Sequence, residues 1–150
     1  MKNIFDSQTI KELKTRLQQI DGTSEAQWGK MNVYQMLKHC TENERLMLRQ
    51  KTLKRLFIGR LFGPMALKSN IKDDAPLGRN SPTHPDLKFN GQGNVDSQKQ
   101  AWLQLLDKYP TMQPEDYRSF THPFFGKMNS EQVSQFAYKH IDHHLRQFGV

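Results

Sequence analysis

The sequence predicts an all-α protein, a four-helix bundle with a long connection between helices two and three. Three observations carry that expectation. Four segments repeat apolar residues at three- and four-residue spacing, the period of an α-helix. The string Gly-Lys-Met-Asn occurs at 29–32 and again at 126–129, each asparagine followed three residues later by a glutamine, which marks two capped helix starts. No strand-rich alternative accounts for the spacing as well. Asn90-Gly91-Gln92-Gly93-Asn94 has the composition of a hairpin turn, but no convincing strands flank it.

The first helix is expected from about Ser7 to Ile20, with Ile10, Leu13, Leu17 and Ile20 inward, Asp6 or Ser7 as cap and Asp21-Gly22 as stop. After a short connection the second begins at Asn32 and turns Val33, Met36, Leu37, Cys40, Met47 and Leu48 inward. Glu44 falls on the centre of that stripe, at about 20° if Val33 is 0°, and His39 at its flank, at about 240°. Residues 51–96 are too many for a structureless connection, so a short helix is expected around Lys54 to Leu67, followed by a breaker-rich loop over 73–85. The third main helix runs from Asp96 or Ser97 to Tyr109, where Pro110 ends it. Pro114 to Phe125 reads as loop, and the last helix runs from Ser130 to about Phe148.

Three of the six histidines lie near the end of that last helix. With Val133 at 0°, Phe136, Ala137, Ile141, Leu145 and Phe148 share one arc, and Gln135, Lys139, Asp142 and Arg146 the opposite one. His140 and His144 fall at about 340° and about 20°, in the middle of the apolar arc, with Gln147 at about 320° and His143 at its border at about 280°. Polar rings in a core-facing stripe require partners, since burying them bare is costly. The i, i+4 spacing stacks the two imidazoles and lets both reach one metal ion. The alternatives are a pair of core histidines bonded to carbonyls or water, or an exposed pair on a frayed helix end.

The chain's 150 residues suit one domain, 1–150, with one substantial core. No apolar run reaches membrane-spanning length, the start lacks a signal-peptide hydrophobic region, and a lone cysteine fits a reducing compartment, so a cytoplasmic protein without membrane insertion is expected. The net charge of +7 is uneven: eight basic and no acidic residues lie between Arg45 and Lys72. Such a block could attract nucleic acid, anionic lipid or an anionic substrate, or form a solvated rim. Leu53, Leu56, Phe57, Ile58, Leu61 and Phe62 are interleaved with it, the pattern of an amphipathic segment rather than a nucleic-acid tail, and no nucleic-acid partner is expected.

Trp28-Gly29-Lys30-Met31-Asn32-Val33-Tyr34-Gln35-Met36-Leu37-Lys38-His39-Cys40 resembles the second-helix signature of the DinB-like (YfiT-type) metalloenzyme superfamily. His140-Ile141-Asp142-His143-His144-Leu145-Arg146-Gln147 resembles its closing His-x-x-x-His-Arg-x-Gln pattern, departing from it at Leu145. Lys54 to Arg60 and His122-Pro123-Phe124-Phe125-Gly126 look like a domain-of-unknown-function branch of that superfamily. The resemblance implies an up-down-down-up bundle, often a homodimer, with a divalent metal on three histidines. Carried over by position, these are His39, His140 and His144. Other members include thiol-cofactor-dependent transferases and isomerases, and some look like metal-dependent hydrolases.

Three neutral imidazoles leave a divalent ion, zinc or nickel by donor type, with its full charge and open positions. Such an ion acidifies a bound water toward a pKa of roughly 7, or holds a low-molecular-weight thiol as thiolate. Glu44 is a candidate general base or supporting partner, its alternative an ion pair with a lysine or arginine of another helix. Gln147 would orient a ligand or substrate. His122 is a candidate fourth ligand or acid–base group, or a local cap; His143 is a supporting or surface residue; Cys40 is a small core residue. Two functions follow: a transferase or hydrolase acting on a small molecule, or a non-catalytic metal- or ligand-binding module with a structural metal site.

Overall fold

A computed structural model describes residues 2–150 and contains five α-helices: α1 (Ser7–Gln18), α2 (Val33–Met47), α3 (Phe57–Asn70), α4 (Val95–Leu106) and α5 (Ser130–Gln147). Two short strands, β1 (Thr121–His122) and β2 (Gly126–Lys127), pair antiparallel just before α5. The protein is thus predominantly helical, with a minimal two-stranded sheet where the sequence reads as plain loop.

The caps set where helices begin. Asp6 accepts the Thr9 amide at 2.9 Å and starts α1. The repeated Gly-Lys-Met-Asn strings form the same device twice. Asn32 and Gln35 exchange bonds of 2.9 and 3.0 Å, and Asn129 and Gln132 do likewise at 2.9 and 3.0 Å. The glycines ahead of them, Gly29 and Gly126, sit at φ 86° and 87°, a left-handed turn that L side chains avoid. At the other end of α5, Gly149 at φ 79° ends the helix.

Several boundaries move. The middle helix begins at Phe57 rather than Lys54, because the Leu56 amide is bonded to the Pro123 carbonyl at 3.0 Å and the chain before it stays extended. The helix expected to reach Tyr109 stops at Leu106, and a 3₁₀ turn over Tyr109–Thr111 takes its place, Pro110 having no amide with which to continue an α-helical ladder. Asn94, accepting from the Ser97 amide at 2.8 Å, starts α4 ahead of Asp96.

Helices α1, α2, α4 and α5 pack on one another, α2 against both α4 and α5, and α1 against the same two. Leu13, Leu17, Met36, Leu37, Cys40, Trp102, Leu106, Ile141 and Leu145 form the centre of the core. Because α2 is covered on two sides, its buried set exceeds one apolar stripe and includes His39, Thr41, Asn43 and Glu44. The flank position assigned to His39 by periodicity is therefore an interior one. Between α3 and α4 the chain holds a single 3₁₀ turn, Pro85–Leu87, which touches α2. No described helix is long and apolar enough to cross a membrane.

Candidate metal centre

Two helices bring three imidazoles to one point. α2 contributes His39, and α5 contributes His140 and His144, one turn apart. One nitrogen from each lies within 4.8 Å of the others, and this is the group among the described residues that could hold an ion. His39 Nε2 and His140 Nε2 are 3.2 Å apart. Two nitrogens at about 2.0–2.1 Å from a tetrahedral ion stand about 3.3 Å from each other, so that pair is already spaced for shared coordination.

The protonation state suits ligation. Burial holds His140 and His144 well below the ordinary imidazole range, with the neighbouring rings adding to the effect, and burial lowers His39 as well. All three rings are therefore neutral near pH 7, each with one lone pair to give.

Hydrogen bonds decide which nitrogen carries it. The Leu87 carbonyl accepts from His39 Nδ1 at 2.9 Å, leaving Nε2 as the free donor atom. Gln147 Nε2 donates to the Trp28 carbonyl at 2.8 Å, and this fixes the amide so that Oε1 accepts from His144 Nδ1 at 2.8 Å. Gly29 makes that approach possible, since a Cβ there would lie 2.6 Å from Gln147 Nε2. The Asn43 amide nitrogen lies 3.3 Å from His140 Nδ1. His39 and His144 thus each have an acceptor on Nδ1, and His140 has the Asn43 side chain beside it.

The remaining sequence candidates lie outside the group. Glu44 is fully buried and meets no cation: Oε2 accepts the Tyr109 hydroxyl, and Oε1 has no hydrogen-bond partner. Burial, only partly offset by the Tyr109 hydroxyl and the Asn43 amide, pushes its carboxyl up to about 7. His122 accepts the Phe124 and Phe125 amides on Nδ1, both at 3.2 Å, so it closes the β1–β2 turn as a local cap. Burial, then His84, push it down to about 3. Phe136 separates it from the three rings, its centroid 5.8 Å from His122 and 5.9 Å from His140. His143 is half-buried, edge-on to Trp28 at 5.7 Å and to His144 at 5.1 Å. Cys40 is buried in the core, its thiol pushed upward by burial.

Sequence reasoning overlooked Asn43, the Leu87 carbonyl, and Arg79, whose guanidinium lies 4.2 Å over the Trp28 ring. Asn43 had a signal, standing four residues after His39 on the same helical face. The other two depend on the long crossing and had none.

The site is that of a helical protein with a buried three-histidine group able to hold a metal ion. The family model of the DinB superfamily matches residues 7–148, and the chain belongs to that superfamily. Comparison with curated proteins and with solved structures gives no match.

Proposed function

We propose that the protein is a divalent-metal enzyme of DinB type, in which His39, His140 and His144 hold zinc or nickel. Its four core helices are read as an up-down-down-up bundle, and its substrate as a small molecule. One observation carries the proposal: three neutral donors converge, and no carboxylate or thiol joins them among the described residues. A site with three nitrogen ligands keeps a position for water or an incoming thiol, whereas a structural site is closed by a fourth protein ligand.

When bound, the ion would supply a Lewis acid and either an acidified water or a thiolate, which fits a hydrolase or a thiol transferase. The chain's own part is to orient. Gln147 holds His144, Leu87 holds His39, and Asn43 stands against His140. Glu44, its carboxyl raised to about 7 beside Tyr109, would exchange a proton near neutrality; it lies five residues from His39 on the same helix and is the proposed acid–base reserve.

Elemental analysis of purified protein beside His140→Ala and His144→Ala tests the ligands. Wild type should carry about one divalent ion per chain and the variants a small fraction of that; full retention in both variants defeats the assignment. Cobalt substitution then separates enzyme from structural clamp. Added small thiol should produce a sulfur-to-cobalt charge-transfer band if the protein is a thiol transferase, and a spectrum indifferent to thiol and to azide alike would assign the site to a closed, non-catalytic module.

A further inference from the structure

We propose that α3 is a preformed docking face for an anionic lipid surface. Set Phe57 at 0° and advance about 100° per residue: Gly59, Gly63, Ala66 and Leu67 cover about 180° to 280°, and this side is turned inward. Phe57, Leu61, Met65, Ile58 and Phe62 cover about 0° to 140°, the opposite side. These five large apolar side chains are between 49% and 76% exposed and share one side of the helix. Burying them is worth far more than leaving them in water, so such a patch marks a contact surface.

The helix is also held in place. A Cβ on Gly59 would lie 2.5 Å from the Phe124 carbonyl oxygen, and one on Gly63 closer still, so α3 rests directly on the backbone of the β1–β2 loop. The apolar face is thus presented outward, away from the loop on which the helix rests.

Charge chooses the occupant. Arg45 and Lys51 are held by Glu42, but Lys54, Arg55, Arg60 and Lys68 are exposed and have no carboxylate partner among the described residues. No acidic residue lies between Arg45 and Lys72. A second copy of the chain would bring two such blocks together, and like charges oppose that contact. One helix face also falls short of the about 20–30 residues a side that a stable interface uses. On the same count Lys68 falls at about 20°, within the apolar arc, and Arg60 at about 300°, beside it. An apolar stripe whose own charges are all basic matches a helix lying in the headgroup region, with Arg60 and Lys68 reaching up to lipid phosphates. Such a helix lies on the bilayer and does not cross it.

Co-sedimentation with vesicles tests this. Wild type should bind phosphatidylcholine vesicles containing roughly one third phosphatidylglycerol, and bind pure phosphatidylcholine at least about tenfold more weakly. Phe57→Ser with Leu61→Ser, and separately Arg60→Glu with Lys68→Glu, should each lower binding at least about tenfold, high salt weakening the wild type similarly. A Phe57→Trp probe should shift its emission to the blue on the mixed vesicles. Absence of vesicle binding and of the blue shift overturns the proposal. So does a concentration-dependent dimer that the Phe57/Leu61 variant abolishes, since the face would then belong to a second copy.

Discussion

Replacing Glu44 with glutamine should flatten the pH dependence of folding stability. The carboxyl is fully buried with no cation beside it, and burial raises it from the ordinary 4.5 to about 7. Between those two values the folded protein holds a proton that the unfolded chain has already lost, so wild-type stability falls as pH rises through that window. The difference corresponds to about 3 kcal/mol, fully expressed above about pH 7 and absent below about pH 4. Buried histidines act in the opposite sense. Neutral in the fold, they take up protons on unfolding below 6.5, so their contribution rises with pH up to that value. They are common to both proteins and cancel in the comparison. Urea unfolding of wild type and Glu44→Gln, in chelator, should give a gap that grows in favour of the variant by about 3 kcal/mol between about pH 4 and pH 8. The glutamine keeps an oxygen for the Tyr109 hydroxyl, so a constant offset between the curves carries no weight. Parallel curves across the range would refute the burial argument and mean that the carboxyl ionises at its ordinary value.

Two further substitutions follow from the geometry. Gln147→Leu removes the acceptor that sets the His144 tautomer and should weaken metal affinity about 10–100-fold while the far-ultraviolet spectrum is unchanged, measured by competition with a chelating dye. Gly63→Ala puts a Cβ into the Phe124 carbonyl and should destabilise the protein by about 1–3 kcal/mol, with amide exchange in α3 accelerating before exchange in α5.

What was legible in the chain was local. Capping boxes are readable because the cap and its reciprocal partner lie three residues apart, and both Gly-Lys-Met-Asn starts fold as read. The pairing of His140 with His144 is equally local, a matter of one helical turn. What was illegible joins distant segments. Periodicity measures one stripe, so it could not see that α2 is covered from two sides and that His39 faces inward at 3% exposure. The partner of Glu44 is a tyrosine 65 residues away, on a 3₁₀ turn where a longer helix was expected. The acceptor for His39 is a backbone carbonyl, which no residue letter announces.

That last contact gives the crossing between α3 and α4 a structural task. The rings are oriented from three places: the Leu87 carbonyl on the crossing, Asn43 within α2, and Gln147 tied to Trp28 ahead of α2. His84 anchors the same crossing, its Nε2 bonded to the Lys54 carbonyl at 3.0 Å and its Nδ1 accepting the Asp86 amide at 3.1 Å. A loop held at His84 delivers the Leu87 carbonyl three residues later to His39. The crossing is therefore part of the site, and the path from the basic segment to the three rings runs through hydrogen-bonded backbone rather than through side-chain packing alone. An ion that draws the His39 ring into a fixed orientation would also strengthen the Leu87 bond, because coordination makes the Nδ1 proton a better donor. A metal held at His39 would therefore favour this placement of residues 84–87, and that placement would favour the metal by the same free energy.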